Sequence, residues 1–445
     1  MGKSTKTKRA DNGTATCKWD AKKQLYRASQ ANPHPTGKPR RLEATSTIRD
    51  DALEKLRRKV ARAEKGLTPT LPRGTVGEYL ETWLAYIQSR RAPKTYRNYS
   101  GEMRLHVIPR IGDKQLRSLN VTDINDLYDD IMIAIARSGN GTGIATTRSI
   151  HRTLNSAFNT AVARELIDRN PAKLAEQPKA PRQTRRSLSA DQAMTLLRTG
   201  YRENHPFATP LAIMLFTGVR LGEAIGLTWP MVNPSTKLDG TGGTVEVIWQ
   251  LQTHARDHGC GTQRDDGSWR CGKKRGNMCS NPVDTMRPDY ENIHIDRSLY
   301  LTRPKSAASI RLLPMTPQLN AFITWQAAKT FNLTDNQHQF VTLDPRFTES
   351  RPIPPKYAWT LFKDLIKMAG LPEDIIAHEM RHTTVTLLTE AGVEAAVIQK
   401  ICGHTNAATT GIYTHVNQAL AAGALGQLDK LMNLGLPGPN PALVA

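Results

Sequence analysis

Apolar positions recur at helical spacing through most of this chain, and alternate at strand spacing only in short interruptions. Trp19, Leu25 and Tyr26 flank the turn residues Asp20-Ala21-Lys22-Lys23, which predicts a short hairpin, and Arg40 to Thr45 supplies a third strand. From Asp50 the period changes: Leu53, Leu56 and Val60 share one helical face, with Arg57, Arg58, Lys59 and Arg62 outside it. Residues 66–74, with Pro69 and Pro72, read as a linker. Thr75-Val76-Gly77-Glu78 is a capping box opening an amphipathic helix with Tyr79, Leu80, Trp83 and Leu84. Pro93 starts a second helix at its favoured first position. Leu116 to Leu119 leads to a third near Thr122, and Thr146 to Ile167 forms a fourth, closed by Arg169-Asn170-Pro171.

Residues 175–187 are Pro-rich and basic, a second linker, and Ser189-Ala190-Asp191-Gln192 is another capping box. The apolar helix through Leu211 to Phe216 stops at Thr217-Gly218, and a new helix begins with Arg220 in its first turn. Glu223 is placed to hold that guanidinium from behind or to act as a plain first-turn carboxylate. Val245 to Leu251 reads as one strand, and Ile293 to Ile295, Leu299 to Thr302 and Ser309 to Pro314 as three more, with Lys305 in a tight turn between the last two. Leu425, Leu428, Leu431 and Met432 recur at helical spacing before Gly435 and Pro437, and packing within the chain or on a neighbouring subunit both fit.

Charge narrows the function. Lys and Arg number 61 against 40 Asp and Glu, a net +21, and residues 1–65 alone hold 18 basic against 7 acidic residues. Such a balance calls for a polyanionic partner, nucleic acid or an acidic membrane surface. The clearest apolar runs, Ile131 to Ala136 and Leu211 to Phe216, are too short to span a bilayer. No signal peptide or myristoylation motif opens the chain, and five scattered Cys make no secreted disulfide framework, so a cytoplasmic, nucleoid-associated location is expected. Three of those Cys fall in a polar loop over 254–282 that lacks material for a core. A structural zinc on His258, Cys260, Cys271 and Cys279 would staple it; free thiols in a flexible loop are the other reading.

The chemistry concentrates between His378 and Tyr413, in His378-Glu379-Met380-Arg381-His382, Cys402-Gly403-His404-Thr405 and Gly411-Ile412-Tyr413-Thr414-His415. His378 and Arg381, three apart on a helix, share a face. An Arg fork matches phosphate oxygens, His moves protons near neutrality, and Tyr is a nucleophile once deprotonated. Upstream stand Arg220 in Thr217-Gly218-Val219-Arg220-Leu221-Gly222-Glu223-Ala224 and Lys305 in Thr302-Arg303-Pro304-Lys305-Ser306.

The ordered series Arg220, Lys305, His378, Arg381, His404, Tyr413 resembles the tyrosine recombinase (phage integrase) family over residues 75–430. The resemblance implies a multidomain, mainly α protein with small β-sheets. Residues 1–65 would be a basic β-sheet-plus-helix, arm-type DNA-binding module, and 75–174 a four-helix core-binding bundle contacting phosphates through residues such as Lys94, Arg97, Arg104, Arg148 and Arg152. An α+β catalytic domain would occupy 188–435, carrying the 254–282 loop as an insertion, with a tail over 436–445. It implies strand transfer through a 3′-phosphotyrosyl link from Tyr413, needing neither ATP nor a metal for chemistry. Arg220 and Arg381 would stabilise charge at phosphorus, Lys305 protonate the leaving 5′-oxygen, His378 serve as base and His404 donate a hydrogen bond. His382 and His415 adjoin the motif as supporting or structural residues. The implied partners are duplex DNA attachment sites, a homotetramer on DNA, a directionality factor and a host DNA-bending protein, for a phage or other mobile element that integrates and excises. A topoisomerase-like enzyme that nicks and reseals, or a non-catalytic DNA-binding regulator on the same fold, remain the alternatives.

Overall fold

The computed structural model describes residues 15–31, 41–64, 74–179, 186–237, 239–264, 266–304, 309–403 and 418–432. The chain divides into two compact units, residues up to 87 with 98–180, and residues 88–97 with 181–445.

The first unit opens on an antiparallel meander of β1 (Thr16–Asp20), β2 (Leu25–Ala31) and β3 (Arg41–Ser46), in that spatial order. Asp20 closes the first turn by accepting from the Lys22 and Lys23 amides at 3.1 and 3.2 Å. Helix α1 (Arg49–Glu64) packs on the sheet over a core of Ala28, Ala44, Ala52, Leu56 and Val60. Alanines on the sheet let the helix lie close. Trp19 stays 47% exposed, its ring edge against Tyr26.

The helices that follow are α2 (Val76–Gln88), α3 (Pro93–Glu102), whose first half falls in the second unit, α4 (Ile108–Ile111), α5 (Val121–Arg137), α6 (Ile144–Ala163) and α7 (Pro171–Leu174). A π-helical turn, Met103–Val107, joins α3 to α4. The Thr75/Glu78 capping box forms as expected, with reciprocal bonds of 2.9 and 3.3 Å. Trp83, Leu80, Tyr128 and Phe158 fill the core. Tyr79 and Trp83 satisfy their polar ends on the Ala157 carbonyl and the Thr160 hydroxyl of α6. Helix α6 stops short of the expected Ile167, because Glu165 adopts a positive φ of 59° and the Leu166 amide turns back to the Ala161 carbonyl. Asn170 then caps α7. Arg104, one of the candidate phosphate contacts, is paired with Glu81 through two bonds of 2.9 and 2.7 Å.

The second unit is α/β. Helices α8 (Ala190–Arg202), α9 (Ala208–Thr217) and α10 (Leu221–Ile225) come first. The strands follow: β4 (Val232–Asn233), β5 (Thr244–Val247), β6 (Gln250–Thr253), β7 (Arg256–His258), β8 (Pro282–Asp284), β9 (Asn292–Asp296), β10 (Leu299–Thr302) and β11 (Arg311–Pro314). Helices α11 (Pro317–Thr330), α12 (Pro355–Met368), α13 (Ala377–Glu390), α14 (Ala395–Cys402) and α15 (Gln418–Leu431) complete it. Every residue of α9 is buried, so it is the axis of this core. The Ser189/Gln192 box caps α8.

Two sequence expectations change here. The single strand expected over Val245 to Leu251 breaks at Ile248-Trp249 into β5 and β6, which enter different three-stranded sheets, β11-β5-β4 and β6-β10-β9. Trp249 stacks under the Arg303 guanidinium at that break. For the same reason β10 and β11 are not hairpin partners: one pairs with β6 and β9, the other with β5. The connection between them therefore passes from sheet to sheet, and Lys305 itself lies outside the described residues. Finally, α15 docks on its own chain, burying Ala421, Ala424, Leu425, Leu428 and Met432 in the main core, while Leu431 stays 42% exposed. Among the described residues no helix is long and apolar enough to cross a membrane.

Candidate functional site

Three distant segments of the second unit converge where α9 ends. Gly218 leaves α9 with φ +64°, and a Cβ there would come within 2.7 Å of Cys402 Sγ, so only glycine lets the end of α14 approach. Thr384 of α13 donates to the Met214 and Leu215 carbonyls, 3.2 and 2.9 Å away, fastening α13 along α9.

Arg220, at the N-terminus of α10, is partly exposed and gives Nη1 to Glu223 Oε1 at 2.9 Å. Glu223 is 2% exposed and plays both roles foreseen for it: its other oxygen also accepts from the Arg220 backbone amide at 3.0 Å. Arg311, at the head of β11, reaches the same carboxylate at 3.1 Å. Burial pushes the Glu223 carboxyl up, but the Arg311 charge and the bonds from Arg220 outweigh it and hold it below the usual carboxylate range.

In the sequence Arg311 reads as strand material in an Arg-Leu-Leu-Pro pattern that, with Pro304-Lys305-Ser306, resembles the family's catalytic hairpin, with no role of its own. It is 8% exposed and also donates to the Ile401 carbonyl at 2.8 Å and the Ser309 carbonyl at 2.7 Å. One guanidinium thus joins the Arg220 helix, the strand that follows Lys305, and the end of α14, two residues before Gly403-His404. An Arg at the start of an otherwise apolar Arg-Leu-Leu-Pro strand was the available signal.

Arg381 on α13 is 2% exposed, and its Nη1 donates to the Gly218 carbonyl at 2.6 Å. Its Nη2 is buried with no partner among the described residues. Burial, then the Arg220 and Arg311 charges, lower its pKa to about 10, partly countered by Cys402 and Glu223, so it remains a cation at neutrality. His378 sits one turn earlier, exposed, its ring edge-on to His382 at 5.0 Å. The structure therefore brings together Arg220 and Arg381, with His378 on the same helix as the latter. Lys305, His404, Tyr413 and His415 lie outside the described residues.

A separate cluster forms at the antiparallel ribbon of β7 and β8. Ligand-type atoms of His258, Cys260, Cys271 and Cys279 lie within 4.8 Å of one another. His258 Nδ1 is 3.9 Å from Cys260 Sγ and 3.3 Å from Cys271 Sγ, while Trp269 stacks flat on its ring at 4.2 Å. Cys279 Sγ accepts from the Asn281 amide at 3.4 Å. His254, at the start of the same loop, is buried between Tyr290 and Tyr300 and takes no part.

A profile of the Phage integrase family matches residues 275–419, across the positions of Lys305, His378, Arg381, His404 and Tyr413. One of the phage integrase N-terminal SAM-like domain matches residues 75–132. An integrase of Saccharopolyspora erythraea is 24% identical over 76% of this chain and 78% of its own length. The tyrosine recombinase XerD of Chlorobaculum tepidum is 23% identical over 76% of this chain and 92% of its own. In fold the chain is similar to the Tn1549 transposon integrase solved in complex with a circular intermediate DNA, with TM-score 0.54 and 19% identity over 80% of this chain and 99% of that one. The chain thus carries a phage integrase catalytic region and a SAM-like N-terminal domain, and is a homologue of the integrases and tyrosine recombinases.

Proposed function

We propose that this recombinase integrates and excises a phage or other mobile element, working as a homotetramer on paired duplex attachment sites with a directionality factor and a host DNA-bending protein. The observation that carries the catalytic reading is the arginine cluster: Arg220 and Arg381 anchored on rigid elements, with one buried Arg381 donor atom unpartnered among the described residues. A scissile phosphate supplies the acceptor such an atom lacks.

Tyr413 attacks phosphorus, forming the Tyr–phosphorus bond as the phosphorus–O5′ bond breaks. A free tyrosine is only ~0.1% ionised at neutrality, so the local cations must favour the phenolate. His378 takes the tyrosine proton, Lys305 gives one to the departing 5′-oxygen, and His404 donates to a non-bridging oxygen. Arg220 and Arg381 stabilise the negative charge gathered on five-coordinate phosphorus. A 5′-hydroxyl from the second duplex reverses the step, so bond energy stays in the phosphotyrosine. Residues 1–65 act as the arm-type DNA-binding module, 75–174 as the core-binding clamp and 188–435 as the catalytic domain.

The His258, Cys260, Cys271 and Cys279 cluster holds a structural zinc. Three thiolates and one imidazole are a donor set zinc favours, and four protein ligands leave no position open for catalysis.

Tyr413→Phe tests the enzyme reading on a nicked suicide substrate. Covalent protein–DNA adducts disappear while duplex binding persists; undiminished adducts would discard the mechanism. The same substrate assayed with and without a second site separates recombination from topoisomerase-like resealing.

A further inference from the structure

The ribbon around the Cys/His cluster has chemistry that strand transfer does not use. Its large apolar side chains do not form a core: Met278 is 50% exposed and Val283 47%. What surrounds the cluster is charge. Arg264, Arg270, Lys273, Lys274 and Arg275 are all exposed, and residues 259–280 hold only two acids, Asp265 and Asp266, against these five bases.

This basic run is held in place. Cys271 and Cys279 bracket Lys273-Lys274-Arg275, so two members of the cluster fix both of its ends. The turn after Arg275 is pressed onto β7, where a Cβ on Gly276 would fall 2.0 Å from the Arg256 carbonyl oxygen. The Met278 amide also closes back on the Arg275 carbonyl at 2.9 Å. None of Arg270, Lys273, Lys274 and Arg275 is ion-paired to a described residue. A protein-docking face would carry aromatic or apolar material at its centre. Here the one nearby aromatic, Trp269, has a face covered by His258.

We propose that the ribbon is an additional DNA-backbone contact, in which Arg270, Lys273, Lys274 and Arg275 bind duplex phosphates and the metal keeps them on one rigid rim. This rests on the zinc reading above for its rigidity, but not for its charge. Lys and Arg contacts of this kind add affinity without sequence preference and release counterions on binding.

The test uses the full-length protein and a mixed-sequence duplex, measuring the binding constant across a salt series beside zinc content by elemental analysis. Replacing Arg270, Lys273, Lys274 and Arg275 together by Ala should flatten the slope of log K against log salt by about 0.9 for each phosphate no longer neutralised, about 2–4 in all. Zinc stays at one per chain. Should the fourfold variant lose its zinc, the milder pair Lys273→Gln and Lys274→Gln gives the same reading at roughly half the slope change. An unchanged slope in a variant that retains zinc overturns the DNA contact. If that variant instead shows weakened subunit association in sedimentation, an acidic protein face is the partner and the proposal is equally overturned. If the wild-type protein contains no zinc, yet the fourfold substitution still flattens the slope, the metal's part in the proposal is overturned and the DNA contact is supported.

Discussion

Glu223, Arg311 and Arg381 are each at least nine-tenths buried, and they arrive from three segments spread over about 160 residues of chain. Cys260 and Cys271 belong to a ribbon built from one short stretch, with Val283 and Met278 half exposed beside them. Both are clusters of polar side chains in the same unit, yet different forces assemble them. The arginine cluster exists because an apolar core positions α9, α13, α14 and β11, and the polar groups are satisfied inside it. The ribbon has no such core, so its order depends on turns, short strands and four ligand atoms. Disturbing the first should therefore spread through the domain, and disturbing the second should stay local.

Arg311→Met should have the largest effect, since it leaves the buried Glu223 carboxylate without its inner partner. Removing one member of a buried pair costs about 3–5 kcal/mol, or roughly 10 °C in melting temperature for a domain of this size. Strand cleavage should fall with it, because Glu223 also holds Arg220. A melting temperature within about 1 °C of wild type would show that the cluster is not integral to the core.

Arg381→Ala comes next and sharpens the division between positioning and chemistry. Removing one preorganised donor to an oxyanion lowers turnover by about 10²–10³. Adduct formation should drop by that order while duplex binding changes little, and an equal loss in both would point to a binding role instead.

Stripping metal from the ribbon should be milder for the fold. The main melting transition is expected to stay within about 1 °C, while proteolysis between residues 259 and 280 accelerates at least about tenfold, because local opening is all that the metal opposes. Cooperative collapse of the whole domain on chelation would erase the contrast between the two clusters.

The smallest effect lies in pH. The Glu223 carboxyl has its folded-state pKa lowered by Arg311 and Arg220 against the opposing effect of burial. Its stabilising contribution is therefore complete above the ordinary carboxylate value of about 4.3 and is lost as pH falls through the lower folded value. The stability difference between wild type and Glu223→Gln should be flat from neutrality to about pH 5 and shrink only in more acidic solution. A difference that changes around pH 7 would implicate another group.

Much of this was legible because it is local. The capping boxes at Thr75 and Ser189, the stop of α9 at Gly218 and the small N-terminal sheet with its helix follow from neighbours three or four residues apart, and they stand where expected. So does the gathering of His258, Cys260, Cys271 and Cys279, which share one short loop. The illegible parts are non-local. Nothing along Val245 to Leu251 announces that the strand changes sheets midway, because β11 and β10, the partners that draw β5 and β6 apart, lie about 50 residues or more downstream. The Arg311-Leu-Leu-Pro pattern points to a strand, but not to Glu223 and Ile401 as the partners of its guanidinium. The pairing of Arg104 with Glu81, 23 residues away, is likewise not written in the local sequence.

The linear chain by itself determined which residue types could meet a phosphate, in what order they occur, and how much positive charge accompanies them. Only tertiary structure decided which guanidinium turns inward, which carboxylate holds it there, and that Arg311 joins segments far apart in the chain. Periodicity and capping are energies between near neighbours. The direction in which a buried charge points is settled by whichever distant group can satisfy it away from water.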